Sequence, residues 1–236
     1  MERWVSGERP LRPGGWVMPL EAVLFDLDGT LIDSYAAIAE AFNHARVCLG
    51  EPELPEPTVR RMVGHGLEAL MQKSLGSRRM QAGVDLFRQR YESICEARTR
   101  LLSGVRETIS ILHRGGIRMG VATNKPEPIA RRLLTRLQIM PPIRAVRGPG
   151  GATPAKPDPA MLHAVLQGLG VDPCRALFVG DMPIDVEAAR RAGLAVWVLS
   201  TGSSTGRELE AARPDRILSG FEELQSLAAG RPAVSA

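Results

Sequence analysis

Short apolar runs alternate along the chain with longer segments in which apolar residues recur every three or four positions. The runs lie at 22–25, 116–122, 143–146, 176–179 and 195–199, with a weaker one at 216–218. Short, continuous apolar runs are typical of parallel strands that are buried on both faces. The segments at 105–113, 129–137 and 161–169 have the period of helices. This alternation predicts an α/β fold, a Rossmann-like parallel sheet with helices on both faces.

One long segment breaks the alternation. Residues 34–102 have no strand pattern, and their helical periodicity is interrupted by Pro52, Pro55 and Pro57. We expect helices at 36–49, 66–75 and 78–98. The segment is therefore predicted to be an all-helical cap domain over the carboxyl ends of the strands, where open α/β sheets bind ligands. Residues 19–33 and 103–236 would form the catalytic core, and residues 1–18, which have no period, an irregular leader.

Composition excludes several classes of function. The net charge of +4 is spread along the chain and aromatic residues make up only 4% of it, so a nucleic-acid platform is not expected. No apolar run approaches the ~20 residues that cross a bilayer, and the N-terminus lacks the apolar stretch of a secretory signal. The three cysteines form neither a zinc spacing nor a disulfide framework. We expect a cytoplasmic monomer or homodimer that binds neither nucleic acid nor membranes.

Two acid pairs follow predicted strands. Asp26 and Asp28 come after the first strand, and Asp181 and Asp185 come after the fourth. Taken singly, the first pair could be a solvated turn and the second a helix N-terminus. Because both follow buried strands, we expect their carboxylates to converge in one crevice, and oxygen ligands in that number suit Mg²⁺.

Two further segments carry groups that suit an anion. Thr123 and Asn124 follow the second strand, and the backbone amides beyond them are placed to bind an anion; a helix cap is the alternative. Lys125 is expected to serve the start of the next helix rather than a phosphate. Lys156 lies among prolines that fix its backbone, although a lone lysine is more often a surface residue.

These segments, in this order, resemble the four motifs of the haloacid dehalogenase-like hydrolase superfamily, over roughly residues 20–193. The position of the helical insert resembles the subclass with a cap between the first two motifs. The stretches 122–126 and 61–67 are similar to those of phosphoglycolate phosphatases. For the five main strands, numbered along the chain, we expect the order 5-4-1-2-3.

The resemblance implies a role for each motif. Asp26 would attack phosphorus and form an aspartyl-phosphate, and Asp28 would act as general acid and base. Lys156, Thr123 and Asn124 would bind the phosphoryl group. Mg²⁺ would be held by Asp26, the backbone carbonyl of Asp28 and Asp181, with Asp185 as a further ligand or a brace. The substrate would be a small phosphorylated metabolite, with 2-phosphoglycolate the best choice.

The weaker candidates for substrate contact lie in the cap. Arg61, Gly64, His65 and Gly66 are the candidates, although Arg61 could equally be an exposed helix-end residue and His65 a solvated loop residue. Met182 stands where a small hydroxyl residue is frequent in this superfamily.

Other functions within the superfamily stay open at this point. They are phosphosugar phosphatase, pyrophosphatase and phosphosugar mutase. Dehalogenases lack the acid at Asp28, and a phosphonate hydrolase would need a reactive lysine in the cap, where Lys73 is the only candidate. A non-catalytic phosphate-binding module is disfavoured because it has no need of a nucleophile.

Overall fold

The computed structural model describes residues 20–150 and 153–228, so the predicted leader at 1–18 lies outside the described residues. Its strands, numbered along the chain, are β1 (Ala22–Phe25), β2 (Ile32–Asp33), β3 (Arg100–Leu101), β4 (Arg118–Ala122), β5 (Ile143–Arg147), β6 (Ala176–Gly180), β7 (Ala195–Leu199) and β8 (Arg216–Leu218).

Six of these strands form one parallel sheet in the order β5-β4-β1-β6-β7-β8. The central strand, β1, pairs with β4 on one side and β6 on the other. The predicted α/β class is confirmed, and the five main strands lie in the predicted order. The difference is that β8, which the predicted order omitted, pairs with β7 and extends the sheet by a sixth strand.

Helices cover both faces of the sheet. They are α1 (Tyr35–Cys48), α2 (Glu56–Arg60), α3 (Leu67–Leu75), α4 (Met80–Ile94), α5 (Val105–Arg114), α6 (Glu127–Arg136), α7 (Ala160–Leu169), α8 (Pro183–Arg191) and α9 (Gly206–Ala212), with 3₁₀ turns at Pro173–Arg175 and Phe221–Ala228. Successive side chains of a strand point to opposite faces. Accordingly Val23 and Phe25 lie in one hydrophobic cluster and Ala22 and Leu24 in the other, which explains why β1 is apolar at every position.

The segment between β2 and β3 contains α1 to α4 and no strand. We call residues 34–102 the cap segment. The third predicted helix is shorter than expected and ends at Ile94, and α2, with Pro57 in its first turn, was not predicted. The antiparallel ribbon of β2 and β3, which joins the two connections to the core, was also missed. Two-residue strands are too short to carry a periodic signal.

Two further observations bear on the environment of the protein. Among the described residues, no helix is both long and apolar enough to traverse a lipid bilayer. Cys48, Cys95 and Cys174 are free thiols, and only Cys95 is buried.

Candidate active site

The carboxyl ends of three neighbouring strands bring the predicted acids together. Asp26 follows β1, Thr123 follows β4 and Asp181 follows β6. Asp26, Asp181 and Asp185 are all buried, and each offers a carboxylate oxygen within 4.8 Å of those of the other two. The acids that appeared as separate motifs in the sequence therefore form one cluster.

Lys156 lies inside this cluster. Its Nζ is 2.7 Å from Asp26 Oδ1, as an ion pair rather than a well-directed hydrogen bond, and 2.8 Å from Asp185 Oδ1. Burial alone would lower the pKa of Lys156, but Asp185 and Asp26 hold it above its ordinary value. Since Lys156 is only 3% exposed, the surface interpretation of this residue is wrong.

The Asp181 carboxylate is only half satisfied. Its Oδ1 accepts a hydrogen bond of 2.7 Å from Thr30 Oγ1, but its Oδ2 has no hydrogen-bond partner among the described residues. Burial raises the pKa of Asp181 well above its ordinary value, and the charges of Asp185 and Asp26 add to this. A buried acceptor without a donor is costly, so this oxygen is the natural place for a cation.

Crowded acids also affect Asp26. Burial raises its pKa to about 6, with Lys156 opposing the rise and Asp185 adding to it. Carboxylates this close favour protonation of one another unless a cation intervenes. Without further positive charge, the simultaneous ionisation of all the carboxyl groups in the cluster is therefore unfavourable.

Asp185 has both of its oxygens occupied. Its Oδ1 accepts from Lys156, and its Oδ2 accepts from the backbone N–H groups of Asp181 at 3.1 Å and Met182 at 3.0 Å. A Cβ placed on Gly180 would lie 2.4 Å from Asp185 Oδ2, so the backbone must approach this carboxylate closely. Asp185 thus holds the loop that carries Asp181.

Asp28 is held from two sides. Its Oδ1 accepts a short hydrogen bond from Ser34 Oγ, and its Oδ2 lies 3.0 Å from Lys125 Nζ. Lys125 also donates a 2.9 Å hydrogen bond to the hydroxyl of Tyr91, which belongs to α4 of the cap segment. The expectation that Lys125 serves the start of its helix is therefore wrong. Burial would lower the pKa of Lys125, but Asp28 and Tyr91 hold it above its usual range.

Sequence reasoning missed the contacts of Lys125 with Asp28 and Tyr91. A signal did exist, because the chain has only three lysines among many arginines, and a lysine is not interchangeable with arginine in a confined site. The partner Tyr91 had no such signal, since it lies more than 30 residues away on another helix.

Thr123 and Asn124 connect the site to its surroundings. Thr123 is 1% exposed, and its Oγ1 accepts from the backbone N–H of Lys125 at 3.1 Å. The side chain of Asn124 accepts from the backbone N–H of Lys156 at 2.8 Å and donates to the carbonyl of Gly64 at 3.0 Å. Asn124 therefore ties the lysine loop to the cap segment, and its polar atoms are already engaged.

The weaker cap candidates divide into two groups. Gly64 and Gly66 line the cavity next to Asp26, whereas Arg61 and His65 are exposed and line a separate groove. The neighbouring Arg60, which was not predicted, contacts the core. Its guanidinium lies 4.2 Å from the ring centre of Tyr35 and donates to the carbonyl oxygens of Thr201 at 2.7 Å and Gly202 at 3.0 Å.

The cavity between the strand ends and the cap segment has a volume of about 100 Å³. Asp26, Asp28, Thr123 and Lys125 line it from the core, and Tyr91 lines it from the cap. Two carboxylates, a hydroxyl and an ammonium group thus surround one small space, with Lys156 bound to Asp26 beside it, an arrangement suited to phosphoryl transfer, which depends on positioning and charge stabilisation.

Comparison with known proteins agrees with this geometry. Residues 23–199 match the model of the haloacid dehalogenase-like hydrolase family. A phosphoglycolate phosphatase from Pseudomonas putida is 36% identical over 235 residues, which cover 96% of this chain and 84% of that protein. A phosphoglycolate phosphatase from Rhodospirillum rubrum is 38% identical over 195 residues, covering 78% of this chain and 81% of that protein.

The fold agrees as well. The crystal structure of a predicted phosphoglycolate phosphatase from Haemophilus somnus has a TM-score of 0.81 and 28% identity, and the match covers 89% of this chain and 98% of that one. The family match at 23–199 includes every acid and lysine of the site described above.

Proposed function

Because this chain belongs to the haloacid dehalogenase-like hydrolase family and is a phosphatase that acts on a small phosphorylated substrate, we propose that it hydrolyses 2-phosphoglycolate through an aspartyl-phosphate on Asp26. The observation that carries the proposal is the position of Asp26. Its carboxylate lies at the end of the central strand, 2.7 Å from Lys156, and lines the cavity. The choice of substrate is supported by the names of the relatives.

Each step in the proposed reaction has a residue to perform it. A carboxylate oxygen of Asp26 attacks phosphorus, and the bond between phosphorus and the ester oxygen breaks. Asp28 gives a proton to the departing alkoxide, then accepts one from the water that cleaves the aspartyl-phosphate and releases phosphate. Asp28 suits this work because Ser34 and Lys125 hold its carboxylate in a fixed orientation.

Lys156 and Thr123 are proposed to act on the phosphoryl oxygens. The ammonium of Lys156 stabilises the negative charge that spreads over those oxygens. Thr123 Oγ1 already accepts a hydrogen bond from the backbone of Lys125, so its hydroxyl proton is available to a phosphoryl oxygen. Asn124, predicted to bind phosphate directly, is better supported as a brace between Lys156 and the cap loop.

The residues present fit a divalent cation, and we propose Mg²⁺. Asp26, Asp28, Asp181 and Asp185 with Lys125 and Lys156 give four negative and two positive formal charges, a balance of −2. Asp181 Oδ2 is buried without a hydrogen-bond partner among the described residues. Asp26, the backbone carbonyl of Asp28 and Asp181 would hold the ion, which would neutralise charge on the phosphoryl group. Asp185, with both oxygens engaged, would brace these ligands.

The remaining parts of the proposal concern organisation and setting. We propose that residues 34–102 act as a cap domain on a core formed by 19–33 and 103–236. The free cysteines and the small phosphorylated substrate support a cytoplasmic setting. A monomer or homodimer without nucleic-acid or membrane partners stays a prediction.

Phosphate release from a panel of esters tests the activity. The panel contains 2-phosphoglycolate, glucose 6-phosphate, a nucleoside monophosphate and pyrophosphate, each with Mg²⁺ and with a chelator. We expect 2-phosphoglycolate to have the highest kcat/KM and the chelator to abolish turnover. Preference for a sugar phosphate or pyrophosphate would replace the proposed substrate, and undiminished turnover in chelator would overturn the proposed metal.

Chemical trapping tests the intermediate. Borohydride reduces an acyl phosphate to an alcohol, so treatment during turnover should convert Asp26 to homoserine, visible as a mass change in its peptide. The same treatment without substrate is the control. Modification at another acid, or none under turnover, would contradict the assignment of Asp26 as nucleophile.

A further inference from the structure

Met182 separates two cavities. The catalytic cavity of about 100 Å³ lies on one side of it. On the other side is a groove of about 420 Å³ between the cap segment and the core, lined by Arg61, His65 and Lys73 of the cap and by Glu187 of α8. Met182 and Val63 are the residues that line both spaces. Binding sites for small molecules usually have ~300–1,000 Å³, so the groove, but not the catalytic cavity, is within that range.

The thioether of Met182 lies directly against the backbone of Gly64. A Cβ placed on Gly64 would be 2.3 Å from Met182 Cε and 2.4 Å from Sδ, and the φ angle of Gly64 is 137°. The φ angle restricts this position to glycine, and the short distances show how closely the thioether approaches it. The contact joins a residue of the core to the cap loop with no room between them, so the two residues together form a continuous wall.

The cap loop is fixed where it meets this wall. Asn124 donates to the carbonyl of Gly64 at 3.0 Å, and Ser203 Oγ lies 3.4 Å from the carbonyl of Val63 and 3.6 Å from Met182 Sδ. Because polar contacts from Asn124 and Ser203 of the core hold the loop at Gly64 and Val63, the loop cannot move away from Met182 without breaking them. The thickness of the wall is therefore set by the Met182 side chain itself.

We propose that Met182 determines the size of the leaving group that this enzyme accepts. It closes the catalytic cavity on the side of the groove, so that only a leaving group of a few non-hydrogen atoms fits between Asp28 and the cap loop. A shorter residue would open the cavity into the groove, whose charged and polar lining suits a hydroxyl-rich leaving group such as a sugar. This inference rests on the proposed function only for the location of the reacting centre.

The test compares kcat/KM for small and large phosphate esters. Ethyl phosphate and 2-phosphoglycolate are the small esters, and ribose 5-phosphate and glucose 6-phosphate are the large ones. In Met182→Ala we expect the ratio of kcat/KM for the large esters to kcat/KM for the small esters to rise at least tenfold over the wild-type ratio. The rise should come mainly from a higher kcat/KM for the large esters. Met62→Ala is the matched control, because Met62 lines the groove but not the catalytic cavity; its ratio should stay within twofold of wild type.

Met182→Leu keeps a side chain of similar size between the two cavities, so this variant should keep the wild-type ratio. The alanine variant is the one at risk of folding poorly. In that event Met182→Ser takes the place of the alanine variant. An unchanged ratio in the shortened variant, or an equal rise in Met62→Ala, would overturn the inference. If the wild type does not hydrolyse 2-phosphoglycolate, the proposed substrate is wrong. The change in the ratio of kcat/KM for the sugar phosphates to kcat/KM for ethyl phosphate still decides the role of Met182.

Discussion

The core half and the cap half of the site are built differently. On the core side, Asp26, Asp181, Asp185 and Lys156 are buried, and Lys156 pairs with both Asp26 and Asp185. On the cap side, the loop at 61–66 lines the cavity with Val63, Gly64 and Gly66, while Arg61 and His65 line a separate groove. Apart from Arg88 of α4, which lines the cavity and pairs with Glu68, the core therefore supplies charge and the cap supplies shape.

One contact crosses this division. Tyr91 of α4 accepts a hydrogen bond from Lys125, which in turn pairs with Asp28. Through this contact the cap reaches the proposed proton carrier. The difference between the halves suggests that substitutions in the core should abolish the reaction, whereas those in the cap should change which ester reacts or alter the rate moderately.

The largest effect is expected on the core side, for Asp26→Asn. An amide cannot attack phosphorus, so kcat should fall at least ~10⁴-fold, as for other enzymes that lose a nucleophile. Asp85→Asn, an exposed acid of the cap segment, is the control and should keep full activity. Phosphate release by freshly prepared protein, with its mass checked for deamidation, is the measurement; sustained turnover in Asp26→Asn would refute the core half of the comparison.

The two lysines Lys156 and Lys73 sharpen the contrast between buried and exposed charge. Lys156→Met leaves Asp26 and Asp185 without their shared cation, so we expect a loss of about 3 kcal/mol in the free energy of unfolding and a fall in kcat of ~10²–10³. Lys73→Met removes an exposed cap lysine and should change stability by less than ~0.5 kcal/mol. Urea unfolding and steady-state kinetics measure both; equal effects would contradict the assigned difference.

A moderate effect is expected where the halves meet. Tyr91→Phe keeps the ring that stacks on Phe87 at 5.3 Å but removes the acceptor for Lys125. Hydrogen bonds to charged groups contribute ~1.5–3 kcal/mol. A loss near the lower end of that range corresponds to about a tenfold fall in kcat/KM, which is the effect that we expect. Wild-type kinetics in this variant would show that the cap contributes shape alone.

The smallest effects should come from the exposed cap side chains. Arg61→Ala and His65→Ala are expected to change kcat/KM by less than about threefold, as is usual for surface positions. Arg60→Ala should have the larger effect, because this arginine stacks on Tyr35 and binds the carbonyls of Thr201 and Gly202. Kinetics of the three variants side by side test this order, and a severe loss in Arg61→Ala or His65→Ala would give the cap a direct chemical role.

Much of the core could be predicted because its signals are local. The strands that carry the site are continuous apolar runs, and Asp26 and Asp181 each follow such a run directly, so position in the sequence already indicates position at the sheet edge. The strand order that the resemblance implied, with β1 beside β6, then brings Asp26 and Asp181 together. The prolines on either side of Lys156 also marked this residue in the sequence, but no local pattern predicted that its side chain is buried.

The contacts across the cap could not be predicted in the same way. Lys125 was assigned to its helix because the nearest structure in sequence is the helix start, whereas its partners Asp28 and Tyr91 are distant in the chain. Asn124 was assigned to phosphate, but its side chain joins two loops. Whether a polar side chain faces a ligand or a neighbouring loop depends on packing between segments.

The sequence by itself determined the α/β class and the acids at the strand ends, because strand burial and strand-end placement follow from local residue patterns, and the order of the main strands was implied by the family resemblance. Only the tertiary structure decided that Lys125 bridges Asp28 and Tyr91 and that Met182 rests on Gly64. These features depend on distances between segments far apart in the chain, and such distances are fixed only when the cap and the core pack together.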